Sequence, residues 1–364
     1  MTKVLMISTD TKILEESSPV RTRMSEYGTL FEELHIVVFT TKENSNNAPV
    51  AISKNTFAYP TSSITKLLYV TDAIKIGVSI IENSKLSSKN SVITTQDPFE
   101  TGLVGKKLSE KSGIHHHVQI HTDFHSPYFK NSLLNKIRIA ISNKTLPRAT
   151  AIRVVSERIK NSLPEDLKVK TSVLPIFADL SAIKKAPVII NLKKMYPQFK
   201  KIVLMASRLT EEKDIKTGIK AFFNILKEYP NTGLIIVGSG PEESNIKALQ
   251  SAIPMIVRLP WASYDTLISY MKTCDVFLST SLYEGYGLSM LEAHTAGATL
   301  VATDAGIAPL LVSAVAKSGD VNAITQLLSK ALSGQILNKS YTYQYQSKQA
   351  YLEAYKRDIE RALI

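Results

Sequence analysis

Short apolar segments alternate with longer amphipathic segments along most of the chain. Runs rich in β-branched residues predict strands in the first half at residues 4–8, 36–40, 56–59, 92–95, 116–121, 152–155 and 169–174. The second half predicts strands at 202–206, 234–237, 255–258, 276–280 and 299–302. Apolar positions with helical spacing fill most gaps, as at 20–33, 64–83, 100–112 and 132–146. This order is typical of βα units, and more than eight strands favour two consecutive doubly wound parallel sheets over one closed barrel.

The boundary between these two sheets is predicted near Pro175, where a proline is followed by the charged, proline-containing stretch 184–201. We therefore expect an N-terminal domain of residues 1–180 and a C-terminal domain of residues 181–342. The last segment, 343–364, has apolar or aromatic positions at helical spacing, including Tyr351, Tyr355 and Ile359. It predicts a C-terminal helix.

Composition narrows the class of protein. The 364 residues are 44% hydrophobic and 21% charged, which is ordinary for a globular protein and excludes disordered, collagen-like and coiled-coil chains. The single cysteine, Cys274, cannot form an internal disulfide, which fits a reducing compartment. The N-terminal apolar run is too short for a signal peptide, and no stretch approaches 18 apolar residues, so we expect a cytoplasmic protein.

The charge is unevenly distributed. The chain has 44 Lys and Arg against 32 Asp and Glu, a net charge of +12. Residues 129–170 contain ten basic and three acidic residues, a local net charge of +7. A basic surface of this kind suits phosphates, anionic lipid headgroups or nucleic acid, and a solvated helix face on a basic protein remains an equal alternative.

The most informative motif is SLYEGYGLSMLEAHTAGATLVATDAG, residues 281–306. A predicted strand ends just before it, and the loop EGYG leads into a helix near Leu288. Small residues at Gly285 and Gly287 let the backbone approach a ligand, and the helix N-terminus presents unpaired N–H groups, an arrangement that favours a phosphate. Glu292 can accept hydrogen bonds from vicinal hydroxyls such as a ribose. Alternatively, Glu284 complements the helix dipole and Glu292 is a solvated charge.

Two further segments end predicted strands at the same edge of the second sheet. Arg208 and Lys213 lie five residues apart after the strand at 202–206, where two cations suit a pyrophosphate. Gly238 and Gly240 form a tight turn after the strand at 234–237. That turn alone is a weak signal, because such turns often serve only the connection.

Three motifs together resemble a known family. RLTEEKD (208–214), VGSGPEES (237–244) and EGYGLSMLEAHTAG (284–297) resemble the nucleotide-sugar domain of family-4 retaining glycosyltransferases. In the first half, TQDPFETGLVG (95–105) and HVQIHTDFHSPYF (117–129) are similar to the acceptor-side domain of that family. The resemblance implies the GT-B fold: two facing Rossmann-like domains, with the C-terminal helix crossing back to the first.

The resemblance also implies roles for residues of the second domain. Arg208 and Lys213 would bind the donor diphosphate and stabilise the leaving group, Glu284 would face the donor sugar, and Glu292 would hold the ribose. The base would lie near residues 258–261, and the amides of 285–289 would reach sugar hydroxyls and phosphate. The full donor set is Arg208, Lys213, Gly238, Gly240, Arg258, Leu259, Trp261, Glu284, Gly285, Tyr286, Gly287, Leu288, Ser289 and Glu292.

In the first domain, His121 matches the family's histidine near the reacting carbon, with Asp123 close behind. A structural histidine with satisfied hydrogen bonds is the alternative. The first βα loop departs from the family pattern because it lacks glycine, which leaves Ser18 to shape the turn and Arg21 to meet an anionic group. Neighbouring histidines in 115–117 point to opposite sides of a strand, so they do not predict a metal site.

The resemblance implies a retaining glycosyltransferase that uses a UDP- or GDP-sugar and needs no cofactor or metal. The departing diphosphate would help to deprotonate the acceptor hydroxyl, while two cations supply the electrostatic stabilisation. We expect a glycan or lipid-linked acceptor in cell-envelope biosynthesis and peripheral contact with an anionic inner membrane face, without nucleic-acid binding. A nucleotide-sugar epimerase or a phosphorylase on the same fold, or a non-enzymatic basic binding protein, are the alternatives.

Overall fold

The computed structural model describes residues 2–44, 48–335 and 337–364 and divides into two compact units. Unit 1 comprises Met1–Pro175 and Ser347–Ile364, and unit 2 comprises Ile176–Gln346. The first crossing between them thus lies five residues before the predicted one. Residues 184–201 are not an open connection: they belong to unit 2 and include the buried side chain of Leu192.

An eight-stranded sheet forms the centre of unit 1, in the order β3-β4-β2-β1-β5-β6-β7-β8. All neighbouring strands are parallel except β3, which is antiparallel to β4. The strands are β1 Lys3–Ser8, β2 Glu33–Val38, β3 Val50–Ser53, β4 Thr56–Pro60, β5 Ser91–Thr95, β6 His115–Ile120, β7 Ala151–Val154 and β8 Thr171–Val173. The helices are α1 Pro19–Gly28, α2 Tyr69–Asn83, α3 Glu100–Ser112, α4 Leu133–Thr145, α5 Glu157–Ser162 and α6 Glu165–Lys168.

Unit 1 differs from the prediction in two places, one wrong helix end and one strand that was missed. The predicted helix 20–33 ends at Gly28, because the Asn55 side-chain amide donates to the carbonyls of Gly28 (2.9 Å) and Phe31 (3.0 Å) and thereby supplies partners that a longer helix would provide. The short edge strand β3 was not predicted, since its four residues lie in a mainly polar segment.

Unit 2 is built on a five-stranded parallel sheet in the order β11-β10-β9-β12-β13. Its strands are β9 Lys201–Ala206, β10 Thr232–Val237, β11 Ile256–Leu259, β12 Val276–Ser279 and β13 Thr299–Ala302. Its helices are α7 Leu180–Lys185, α8 Leu192–Met195, α9 Ile215–Ile225, α10 Glu243–Ala252, α11 Tyr264–Thr273, α12 Leu288–Ala296, α13 Ala308–Leu311 and α14 Val321–Leu332. The chain leaves β9 towards β10 on one side and returns as β12 on the other, which creates a switch point where open sheets bind ligands.

The apolar core of each unit lies between its sheet and the flanking helices. In unit 2, side chains such as Val203, Phe222, Leu234 and Leu278 are almost completely buried. Strands covered on both faces read as continuous apolar runs, which is why the sequence pattern located them well. The prediction of two consecutive doubly wound parallel sheets is confirmed.

The last helix, α15 Lys348–Glu360, packs on unit 1 and confirms the predicted return of the chain. Buried polar contacts and stacked aromatic rings both hold this helix against unit 1. Asp358 Oδ2 lies 3.0 Å from His117 Nε2, and Arg153 Nη2 donates to the Tyr351 hydroxyl over 3.1 Å. Within the described parts of the chain, none of the helices combines the length and apolar character needed to cross a bilayer.

Candidate functional site

A pocket in unit 2 opens at the carboxyl ends of β9 and β12, at the switch point of the sheet. Its polar lining comes from the loops that follow these two strands and from the first turn of α12. The polar side chains are those of Ser207, Lys213, Ser279 at the end of β12, Thr280, Ser281, Glu284 and Ser289. Three sequence-predicted donor residues, Lys213, Glu284 and Ser289, therefore meet in one place although they are up to 76 positions apart in the sequence.

An ion pair lies in this pocket. Lys213 Nζ is 2.5 Å from Glu284 Oε1, and both side chains are largely buried. The same carboxylate oxygen accepts a hydrogen bond from Ser281 Oγ over 2.8 Å. Glu284 is consequently held in place by two donors. Lys213 in turn presents its remaining N–H groups to anything that enters the pocket.

The backbone that carries Lys213 is fixed from the neighbouring strand. Thr280 Oγ1 donates to the carbonyls of Lys213 (3.0 Å) and Asp214 (2.9 Å). Asp214 has a φ of +45°, a left-handed conformation that a residue other than glycine adopts only when its surroundings enforce it. Its carboxylate also caps α9 by accepting from Thr217 N. The lysine thus projects from a rigid turn.

Arg208 lies in the same loop but is more open. Its guanidinium is 3.3 Å from Glu212 Oε1 and is mostly exposed to solvent. It is not among the side chains that line the pocket in the described structure. Of the two predicted diphosphate ligands, Lys213 is therefore preorganised, while Arg208 is an exposed cation at the rim of the same loop.

Gly238 and Gly240 shape this loop from behind. Both have positive φ angles, +147° and +156°. A Cβ on Gly238 would lie 1.9 Å from the carbonyl oxygen of Ser207, and a Cβ on Gly240 would lie 2.4 Å from that of Leu209. The turn after β10 therefore packs directly against the backbone of the Arg208 loop. In this structure the two glycines position that loop.

The loop EGYG connects Glu284, which lines the pocket, to the first turn of α12. Gly287 has a φ of +94° and occupies the N-cap position of α12. Tyr286 is only 3% exposed, and its hydroxyl lies 3.2 Å from that of Tyr341. Burial raises the pKa of its phenol well above the ordinary value. The side chain that was expected to bind the donor is thus committed to the interior, and the Tyr286 carbonyl accepts a hydrogen bond from the backbone N–H of Ile307 over 2.9 Å.

Glu292 is buried on α12, with 7% of its surface exposed. The alternative in which it is a solvated charge is wrong. Its carboxylate accepts a hydrogen bond from the phenol of Tyr264, and burial raises its pKa to about 7. Tyr264 was missed by the sequence reasoning, since it is the first residue of α11, and only the capping Ser263 before it marks the position.

In the segment expected to hold a base, one side chain forms an ion pair and another is exposed to solvent. Arg258, in β11, forms an ion pair with Glu243 at the start of α10. Leu259, the last residue of that strand, is partly buried. Trp261, two residues further on, is largely exposed. An exposed indole offers a face on which a planar base can stack.

In unit 1, His121 follows directly after β6 and keeps some contact with solvent. Burial, together with the positive charges of Arg153 and Arg23, lowers its pKa to about 3, so the imidazole is neutral at physiological pH. The preceding histidines point to opposite faces of the sheet as predicted. His117 Nδ1 lies 2.9 Å from Thr94 Oγ1, whereas His116 Nε2 contacts Thr95 Oγ1.

The other predicted acceptor-side residues are engaged within unit 1. Ser18 caps α1, accepting from the backbone N–H of Arg21 over 3.0 Å. The Arg21 guanidinium donates to the carbonyl of Ala51 in β3 over 3.1 Å. Asp123 is buried and lies 3.3 Å from Arg158. These contacts give all three residues a structural role within unit 1.

Comparison with protein families decides the class of unit 2. The family model described as glycosyl transferases group 1 matches residues 193–349. These residues are a glycosyl transferases group 1 domain. In the described residues of the chain, no group of three or more His, Cys, Asp or Glu is arranged to hold a metal ion.

Curated relatives of the chain include enzymes whose names contain glycolipids. It is 26% identical over 230 residues to alpha-monoglucosyldiacylglycerol synthase of Streptococcus pneumoniae, covering 58% of this chain and 51% of that protein. It is 27% identical over 186 residues to a GDP-mannose-dependent monoacylated alpha-(1-6)-phosphatidylinositol monomannoside mannosyltransferase of Corynebacterium glutamicum, covering 48% and 47%. The chain thus spans about half the length of these two relatives.

Solved structures establish the fold over the whole chain. Sucrose-phosphate synthase of Thermosynechococcus elongatus matches with a TM-score of 0.73 at 15% identity, covering 100% of this chain and 94% of that one. HepE of Anabaena, solved with UDP and glucose, matches with a TM-score of 0.66 at 17% identity, covering 92% and 90%. At these identities the likeness shows the fold alone, which is GT-B, as the sequence motifs implied.

Proposed function

We propose that this protein is a retaining glycosyltransferase that moves a sugar from a nucleotide-diphosphate sugar to a hydroxyl acceptor. The observation that carries the proposal is the buried Lys213–Glu284 pair, which lies in a pocket at the switch point of a group 1 domain. Glu292, on the helix that begins at this pocket, adds a second buried carboxylate. Cation, carboxylate and helix N-terminus together match the needs of a diphosphate joined to a polyhydroxylated sugar.

The donor diphosphate would lie against Lys213, the N-terminus of α12 and the side chain of Arg208. As the bond from the anomeric carbon to the phosphate oxygen breaks, negative charge develops on the diphosphate, and these groups stabilise it. The acceptor oxygen forms its bond on the same face of the sugar. Its proton passes to the departing phosphate oxygen, so the configuration at the anomeric carbon is retained and no separate base is required.

Glu284 would orient the donor sugar in this scheme. Its carboxylate oxygen already accepts from Lys213 and Ser281, and these donors reduce its nucleophilicity. A carboxylate held in this way is better suited to accept hydrogen bonds from sugar hydroxyls than to attack the anomeric carbon. Glu292 and Tyr264 would hold the ribose hydroxyls, and Trp261 would stack on a uracil or guanine base.

For the acceptor we propose a glycan or a lipid-linked hydroxyl in cell-envelope biosynthesis, with the protein acting in the cytoplasm and in peripheral contact with the inner membrane face. The names of two relatives contain glycolipids, a monoglucosyldiacylglycerol and a phosphatidylinositol monomannoside. The net charge of +7 across residues 129–170 of unit 1 suits an anionic surface. His121, neutral because of its surroundings, would offer a hydrogen bond near the reacting carbon.

A ligand screen tests the donor assignment. Thermal shift with UDP, GDP, ADP and their sugar conjugates should give a selective rise with one nucleotide, because ligand binding to the folded state stabilises it. Arg208→Ala should weaken that rise. Lys227→Ala, an exposed cation just beyond the far end of α9, should leave it unchanged. A chain that responds to no nucleotide would contradict the proposal.

Product analysis separates the transferase from the alternative enzyme. A transferase releases free nucleotide diphosphate and forms a glycoside when an acceptor is present. An epimerase on the same fold would convert one nucleotide sugar into another without consuming the diphosphate bond. Accumulation of a new nucleotide sugar in the absence of acceptor would therefore replace the transferase assignment.

A further inference from the structure

Two clusters of exposed aliphatic side chains occur in unit 1. The α2 cluster consists of Ile64, Leu67 and Leu68, in the turns just before α2, and Leu67 is 91% exposed. The α4 cluster consists of Leu133, Leu134 and Ile137 in the first turns of α4, and Leu133 is 75% exposed. Single exposed aliphatic residues are ordinary, but grouped ones mark an interaction surface.

The topology brings both clusters to one edge of the unit. The segment before α2 follows β4, and the segment before α4 follows β6, and both strands run parallel to the rest of the central sheet. Each cluster therefore lies at the carboxyl edge of that sheet. Helix α3 packs against both α2 and α4 and thus links the helices beside which the two clusters lie.

Basic residues predominate beside these clusters, and the nearby acidic residues Asp72 and Glu100 are each paired with a basic one, Lys75 and Arg138. Residues 124–156 contain six basic residues and no acidic one. Of the six, Lys130, Lys136 and Lys144 are exposed on or beside α4, and Lys66 is exposed within the α2 cluster. Leucine and isoleucine side chains are thus bordered by lysines whose aliphatic stems can lie along an apolar phase while their ammonium groups stay in water.

We propose that the α2 and α4 clusters are a docking face for an anionic lipid bilayer. Protein interfaces are depleted in lysine and enriched in aromatic residues and arginine, which the two clusters lack. A second copy of the chain would bring like charges together. Shallow insertion of aliphatic side chains with lysines at the headgroups is what an anionic membrane surface favours. The inference deepens the proposed function, because the bilayer would be the source of a lipid-linked acceptor.

Sedimentation of the full chain with sucrose-loaded vesicles tests the proposal. We expect binding to phosphatidylcholine vesicles that contain phosphatidylglycerol, and weaker binding to phosphatidylcholine alone. The double variant Leu67→Ser, Leu133→Ser should bind at least about tenfold more weakly. Lys130→Ala should weaken binding about fivefold at low salt. Val169→Ser is the matched control, since Val169 is 86% exposed, stands alone before β8 at the opposite edge, and should have no effect.

Several outcomes would overturn the proposal. Wild-type protein that sediments with neither kind of vesicle, a double variant that binds like wild type, or a control variant that loses as much binding would each do so. Loss of self-association in the double variant, measured by sedimentation velocity without lipid, would assign the face to a second copy instead. Nucleotide binding measured without vesicles keeps the two proposals separate, because it reports on the donor site alone, and an unchanged thermal midpoint verifies that the variants fold.

Discussion

Replacing Glu292 by Gln tests the buried carboxylate on α12, which we proposed to hold the ribose. In the wild-type protein, burial raises the pKa of this group to about 7, and Tyr264 donates a hydrogen bond to it. Glutamine keeps the shape and accepts the same hydrogen bond through its amide oxygen, but it does not titrate. The substitution therefore separates the charge of this side chain from its packing.

The expected size of the pH effect on stability follows from the pKa of Glu292. A rise from 4.5 to about 7 corresponds to roughly 3 kcal/mol of preference for the protonated form in the folded state. Between these two pH values the unfolded chain has lost the proton at Glu292 while the folded protein still holds it. The free energy of unfolding of the wild type should therefore fall as pH rises through this window, relative to Glu292→Gln.

Nucleotide affinity should change in the opposite direction. Ribose hydroxyls that donate to Glu292 favour its ionised form, and the ionised fraction rises from about one tenth at pH 6 to about nine tenths at pH 8. Titration calorimetry with the nucleotide found in the screen should show that the wild-type protein binds about ninefold more tightly at pH 8 than at pH 6. This ratio is taken after subtracting any pH dependence that Glu292→Gln shows as well. The diphosphate titrates identically in both proteins. Parallel pH profiles for the two would refute the assignment of Glu292 to the ribose.

Three further substitutions probe the pocket. Gly238→Ala should lower nucleotide affinity at least about tenfold in calorimetry, because its Cβ would collide with the backbone of the loop after β9. Gly334 is also a glycine with a positive φ, but it has open space around it, so Gly334→Ala should leave nucleotide affinity unchanged. Lys213→Met should lower the free energy of unfolding in urea by about 3 kcal/mol by leaving Glu284 unpaired, and adding Glu284→Gln should recover most of that loss. Tyr286→Phe should lower the free energy of unfolding by about 1 kcal/mol and leave nucleotide affinity unchanged, since its hydroxyl pairs with that of Tyr341 and its side chain does not line the pocket. A clear loss of affinity would show that the phenol reaches the ligand.

Much of the fold could be predicted because local sequence patterns determine many of its helices and strands. Helix α3, Glu100–Ser112, has the predicted bounds, and strand β13, Thr299–Ala302, does as well. Both elements are delimited by residues next to them in the sequence. The end of α1 could not be predicted, because it is set by the side chain of Asn55, which lies 27 positions after Gly28.

The candidate site shows the same division. Spacing placed Lys213 and Glu284 at adjoining strand ends, and they do meet. Sequence could not show that Tyr286 turns inward to Tyr341, or that Tyr264 reaches Glu292 from another helix. Residue type and register indicate which edge of a sheet a side chain occupies. They do not indicate which distant group will take its hydrogen bond.

The return of α15 to unit 1 has a consequence for the order of synthesis and folding. Unit 2 is continuous in sequence, whereas unit 1 requires residues from both ends of the chain. Until α15 has left the ribosome, the Arg153 guanidinium and the His117 imidazole lack their partners on Tyr351 and Asp358. Unit 2 can therefore be folded while unit 1 still lacks helix α15. During translation unit 2 should resist proteolysis before unit 1, most of which is synthesised first.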